Sequence, residues 1–145
     1  MEWMLLPYQR YAEFSGRSRR MEYWMYQVFT LMVYVVCFGI MMAGLPWSQM
    51  GQASPNYDPN AAPGPVFWVG VTMAALWYLF TFIPDIAVTV RRFHDQDLSG
   101  WFYLLRFVPY IGGIVLIVFM CIQGTKGENR FGFDPLGTGV GDVFA

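Results

Sequence analysis

The run from Tyr23 to Gly44, YWMYQVFTLMVYVVCFGIMMAG, decides the fold: it is 22 residues long and carries no charged side chain. As an α-helix it would span roughly 33 Å, enough to cross a hydrocarbon layer of about 30 Å. The composition agrees. Hydrophobic residues make up 56% of the 145 and charged residues 13%, against about 25% charged in an average soluble domain. There is too little charge to solvate a globule of this size, so the surplus apolar surface requires lipid.

On the amino-terminal side lie Glu2, Arg10, Glu13 and the cluster Arg17, Arg19 and Arg20, with no small-residue cleavage site. The first apolar run is therefore expected to stay as an anchor and not be removed as a signal peptide. At helical spacing Glu2, Gln9, Arg10 and Glu13 fall on one side, and Trp3, Met4, Tyr8, Tyr11 and Phe14 on the other. That pattern predicts an amphipathic segment in the membrane interface, with Pro7 in the first turn of its helix.

On the carboxyl side, residues 45–65 contain Pro46, Pro55, Pro59, Pro63 and Pro65 with Gly51 and Gly64, which predicts an extramembrane loop. Val66 to Ile83 is again uncharged, and apolar character runs on past Pro84 and Asp85 to Val90. This predicts a second span over 66–90, kinked near its end and stopped by Arg91–Asp97, RRFHDQD. A third apolar stretch, Leu98–Ile122, is interrupted by Arg106, Pro109 and Gly112-Gly113. Its length favours one kinked span over 98–122. The competing reading is a hairpin broken at Pro109–Gly113, giving four membrane segments, with arms of about a dozen residues against the roughly 17 a crossing needs. The expected fold is all-α: a small polytopic transmembrane helix bundle forming one integral-membrane domain over 1–135, followed by a flexible Gly-rich tail, 136–145.

Arginine sets the orientation. Arg10, Arg17, Arg19 and Arg20 precede the first span, the 45–65 loop has no Arg or Lys, and Arg91 and Arg92 follow the second span. The amino terminus is expected in the cytoplasm and the loop outside; three crossings would then put the tail outside too.

The net charge of −1 offers no basic field for nucleic acid. Cys37 and Cys121 lie within apolar stretches and suggest neither a disulfide nor a metal site, and no cofactor motif is present. Asp85 and Arg106 are equidistant from the point between Asp95 and Gln96. Antiparallel helices turning there would bring them to one depth as an intramembrane ion pair, relieving a cost of about 2.5–3.5 kcal/mol per mid-bilayer charge. The alternative is that both side chains snorkel to the headgroups. Arg17, Arg19, Arg20, Arg91, Arg92 and His94 gather on the cytoplasmic face, where each basic residue near an anionic leaflet contributes about 1 kcal/mol; the plain alternative is charge that only sets orientation. His94 beside Asp95 and Asp97 lacks further His or Cys ligands and makes a poor metal site. Gly70 with Ala74, and Gly39 with Ala43, are spaced for close helix packing.

Three motifs then stand out in order: FSGRSRRMEYW from Phe14 to Trp24, RRFHD from Arg91 to Asp95 with Ser99-Gly100-Trp101, and Gly124-Thr125 through Asn129-Arg130-Phe131-Gly132 to Asp134-Pro135. Together they resemble the bacterial domain-of-unknown-function 805 family (DUF805), the YhaH-type inner-membrane proteins, over roughly Met1 to Pro135. The 45–65 loop is longer than is usual there, and Phe102 and Phe133 depart from its commoner Trp and Pro. The resemblance implies a multi-pass inner-membrane location and motifs gathered at span ends, without an established activity. Its recurrent motif residues, carried over here, are Arg17, Arg20, Glu22, Arg91, Arg92, His94, Asp95, Asn129 and Arg130. If they form one site, the tail must share their side, which requires an even number of crossings and the hairpin reading of Leu98–Ile122.

Three functions compete at this stage. One is a non-enzymatic membrane protein whose Arg/His/Asp cluster binds anionic lipid headgroups or a partner protein. Another is a small transporter or channel subunit that self-associates around Asp85 and Arg106. The third is an enzyme acting on a lipid-linked phosphate with His94 and Asp95 as acid and base. The expected partners are membrane lipids and either further copies of the chain or another membrane protein.

Overall fold

Apolar runs of this length become helices because lipid offers the main chain no hydrogen-bond partner, so each segment must satisfy itself. The structure, a computed structural model, describes residues 2–49, 55, 57–58 and 60–137. Most of the expected tail, and residues 50–54, 56 and 59 of the expected loop, lie outside the described residues. Those described form helices α1 (Glu2–Gln9), α2 (Arg20–Ala43), α3 (Pro65–Asp95) and α4 (Gly112–Cys121), with 3-10 helices at Trp47–Gln49 and Gly100–Phe107. No strand occurs among the described residues.

α2 and α3 each contain an 18-residue window of mean hydropathy 1.9, of which only 11% is buried. The core helix of a soluble protein would bury most of such a window. Here Leu31, Val35, Leu76 and Leu79 all point outward, so their hydrophobic free energy has to come from lipid.

Two expectations about helix ends are corrected. The RRFHDQD segment does not stop α3 at Arg91: the helix carries Arg91 to Asp95 as its last turn. It is closed off just beyond its end by Asp97, whose φ of 58° is left-handed. The Leu98 N–H donates to the Phe93 carbonyl at 3.0 Å and the Asp97 N–H to the His94 carbonyl at 3.1 Å, a Schellman closure with the expected apolar partners Phe93 and Leu98. Likewise α1 does not begin at Pro7. It runs from Glu2 to Gln9 with buried Pro7 near its end, where the absent N–H removes only one late hydrogen bond.

The chain divides into two compact units, Phe29–Thr81 and Met1–Val28 with Phe82–Ala145. In the first, the arms of α2 and α3 approach closely at Gly70. A Cβ built there would lie 2.6 Å from Met41 Cγ, 2.8 Å from the Met41 nitrogen and 3.0 Å from the Cys37 carbonyl. Gly39 meets nothing within 4 Å, so of the two small-residue pairs only the one containing Gly70 is a contact. Gly70→Leu is expected to lower the thermal unfolding midpoint in detergent, by overpacking of about 1–3 kcal/mol; Gly39→Leu should leave it unchanged.

In the second unit Tyr23, Tyr26, Val88, Phe93, Leu116 and Met120 form the core, with Tyr8 of α1 packed on it. Leu98–Ile122 is not the single kinked helix favoured above. The 3-10 helix Gly100–Phe107 leads into a turn at Tyr110, φ 66°, and α4 folds back. A Cβ on buried Gly112 would lie 1.9 Å from the Leu105 carbonyl oxygen, so only glycine permits the fold-back. The return brings Phe119 against Phe93 and Phe102, with ring centroids 5.8 and 6.1 Å apart.

Candidate functional site

An arginine guanidinium carries five N–H donors in a rigid plane and remains charged at any accessible pH, so a buried one must be surrounded by acceptors. Three such side chains meet at the end of α3. Arg17, Arg91 and Arg92 are 2%, 0% and 0% exposed.

Arg17 lies in the extended segment before α2, which follows a turn at Gly16, φ 81°. Its Nε donates to Asp95 Oδ1 at 3.0 Å, its Nη1 to the Gly127 carbonyl at 2.6 Å and its Nη2 to the Thr125 carbonyl at 2.5 Å. Arg92 pairs with the other oxygen of Asp95 and donates to the Ile122 carbonyl. Arg91 pairs with Glu22 Oε1 at 3.1 Å and donates to the Glu13 carbonyl at 2.5 Å. Three buried guanidiniums against Asp95 and Glu22 leave one positive charge in excess. Asp134, in the segment from Gln123 onward that is called the tail from here on, lies 4.0 Å from Arg17 and supplies the third carboxylate. The Leu136 and Gly127 N–H groups hold its carboxyl below the usual carboxylate range, keeping it ionised.

The tail is thus fixed by main-chain acceptors and by one helix end. Thr125 donates from its N–H to the Asp95 carbonyl at 2.8 Å. Asn129 Nδ2 reaches the His94 carbonyl and Thr125 Oγ1, each at 2.9 Å. The Phe131 ring stacks on His94 at 3.9 Å with an interplanar angle of 4°. The 3-10 helix Gly100–Phe107 and α4, folded back on each other, return Thr125 and Gly127 to Arg17.

Of the nine motif residues, Arg17, Arg92, His94, Asp95 and Asn129 come together directly, and Arg91 with Glu22 forms a second pair beside them. Arg20 and Arg130 lie at the rim: Arg20 donates to the Cys121 carbonyl at 3.2 Å, and exposed Arg130 pairs with Asp97 at 3.0 Å. Asp85 and Arg106 form a separate pair at 2.9 Å, joined by Gln27, whose Nε2 donates to Asp85 Oδ1 at 2.9 Å. The side chains of His94 and Asp95 are engaged separately. The Asp95 carboxylate faces two arginines, and His94 Nδ1 lies 3.3 Å from the Gly16 carbonyl. No group of three or more metal-ligating side chains is assembled among the described residues.

Sequence reasoning passed over Gly124, Thr125, Phe131, Asp134 and Gln27. For Gly124 the signal was present, since it opens the third motif. A Cβ on Gly124 would fall 2.0 Å from Asp95 Oδ2, so the position is empty because the carboxylate occupies it. Gly124→Ala is therefore expected to weaken the docking of the tail, read as faster protease cleavage near Lys126, while Gly127→Ala, with nothing within 4 Å but a φ of 78°, should cost less.

The model of the family described as protein of unknown function DUF805 matches residues 11–133. Among curated proteins the chain is 38% identical to Inner membrane protein YhaI of Escherichia coli K12 over 93% of this chain and 96% of that one. It is 35% identical to Inner membrane protein YhaH of the same organism over 93% and 97%. No solved structure matches. A family match of this extent, with two relatives matched over nearly their whole length and named as inner-membrane proteins, means that the chain belongs to the DUF805 family.

Proposed function

We propose that this is a non-enzymatic, multi-pass protein of the bacterial inner membrane whose cytoplasmic end is a self-locked platform, engaging anionic lipid headgroups through the basic side chains at its rim, Arg20, Lys126 and Arg130. The observation that carries this reading is the engagement of Arg17, Arg91 and Arg92 by main-chain carbonyls and the chain's own carboxylates. A buried arginine held in this way fixes the chain and is closed off by burial from a phosphate outside. The lipid-facing role therefore passes from the whole cluster to its exposed members.

The helix lengths support the topology. α2 and α3 are long enough to cross, whereas eight 3-10 residues span about 16 Å and α4 about 15 Å. Neither arm reaches across about 30 Å, so Leu98–Ile122 is a re-entrant hairpin, and both termini lie in the cytoplasm with α1 at the interface. Irregular main chain at that depth needs cover. Tyr110, at the turn, is 96% exposed, which supports self-association there.

Native mass spectrometry of the purified full-length protein tests the function. Co-purified anionic phospholipid is expected, with retention falling severalfold in the Arg20→Ala, Lys126→Ala, Arg130→Ala triple variant. Retention unchanged by those substitutions would overturn the reading. A second reading, a transporter subunit, has in its favour the half-exposed Arg106 beside Asp85; it requires flux in proteoliposomes that Asp85→Asn abolishes.

A further inference from the structure

We propose that the groove between the last turns of α3 and the 3-10 helix Gly100–Phe107 holds one phospholipid of the cytoplasmic leaflet, its acyl chain on the apolar wall and a headgroup hydrogen-bond donor on His94 Nε2. The inference deepens the lipid-engaging reading and rests on it.

The groove has a volume of about 410 Å³ and is walled by Ile86, Val90, Trp101 and Leu104, with His94 and Gly100 on its polar side. The polar side is directional. A carbonyl oxygen can only accept, so the contact between His94 Nδ1 and the Gly16 carbonyl puts the ring proton on Nδ1 and leaves the lone pair on Nε2. Nε2 faces the groove: a Cβ built on Gly100 would lie 3.5 Å from it and 2.8 Å from Val90 Cγ1. Nε2 has no hydrogen-bond partner among the described residues. The ring cannot easily turn away, because Phe131 stacks on one face and Asn129 holds its main-chain carbonyl.

Burial, with a smaller contribution from nearby Arg130, pushes the imidazole pKa down against the Gly16 hydrogen bond. The ring therefore remains a neutral acceptor at neutral pH and selects a donor, not a phosphate. The complementary cation is next to it. Arg130 lies over the Phe131 ring, 4.9 Å from its centroid, on a side chain 59% exposed. A lipid phosphate at Arg130 would bring an adjoining ammonium or hydroxyl toward His94. Trp101 at the groove, 78% exposed, has the amphipathic character of residues that sit at headgroup level. The ligand class is thus a phospholipid whose headgroup carries an N–H or O–H donor.

The test is competition between phosphatidylethanolamine and phosphatidylcholine of identical acyl chains for the full-length protein, read by native mass spectrometry. The choline headgroup is fully methylated and has no donor. The wild type is expected to prefer ethanolamine by about tenfold, the ratio that one hydrogen bond supplies. His94→Phe keeps a ring to stack on Phe131 and removes Nε2, and should bind the two lipids equally. Equal binding by the wild type overturns the proposal without any variant, as does a preference that survives in His94→Phe. If anionic lipid is still retained through the rim while ethanolamine shows no advantage, only the groove assignment fails; if no phospholipid is retained at all, the platform reading fails with it.

Discussion

Arg17→Ala is expected to destabilise the detergent-solubilised protein by about 3–5 kcal/mol and to release the tail to protease, because removing one partner of a buried pair leaves the other uncompensated. Asp95 would keep Arg92, but the part-buried hydrogen bonds to the Thr125 and Gly127 carbonyls would be lost, each worth about 1.5–3 kcal/mol as a bond from a charged donor. Arg17→Lys should recover little, since one ammonium cannot reproduce a planar fork that meets a carboxylate and two carbonyls in different directions. Combining Arg17→Met with Asp95→Leu should not rescue stability either, because Arg92 is then buried without its carboxylate. The thermal unfolding midpoint and the rate of cleavage near Lys126 check this; a variant as stable and as resistant as the wild type would contradict it.

The opposite outcome is expected for Asp85 and Arg106. Arg106→Leu leaves Asp85 with Gln27 alone inside the membrane, and accumulation of the protein should fall severalfold. A lone charge costs about 2.5–3.5 kcal/mol at the bilayer centre and less toward the interface. Adding Asp85→Leu removes both charges at once and should restore accumulation, as replacement of an ion pair by apolar side chains often does. Expression level and monodispersity in detergent are the readouts. Failure of the double variant to recover would show that the pair does more than neutralise itself.

The contrast between these two sites also explains what could be read from the residues alone. The spans at Tyr23–Gly44 and Val66–Val90 were legible because the absence of charge is a property of a continuous stretch. The Asp85 and Arg106 pairing was legible because helical geometry converts sequence distance into depth. Leu98–Ile122 was harder: its total length suits one continuous helix, and its break into two folded-back pieces depends on the close approach of Gly112 to the Leu105 carbonyl, a tertiary fact. The destination of the arginines was hidden for a related reason. Arg17 looks like a surface charge facing phosphate until the tail folds back, and Arg91 until the segment before α2 does; most of their acceptors are main-chain carbonyls, which carry no sequence signature. Gly124 and Phe131 acquire their roles only from Asp95 and His94, each far away in sequence. The Schellman closure at Asp97 escaped notice because a glycine usually marks that position.

Lys126→Cys, introduced with Cys37 and Cys121 replaced by alanine and probed with a membrane-impermeant maleimide, tests the shared location of tail and motifs most directly. The account predicts no labelling in intact cells and full labelling in inside-out vesicles, with a Ser48→Cys control giving the reverse. Labelling of Lys126→Cys from outside intact cells would put an odd number of crossings between Arg17 and Thr125 and contradict the clasp.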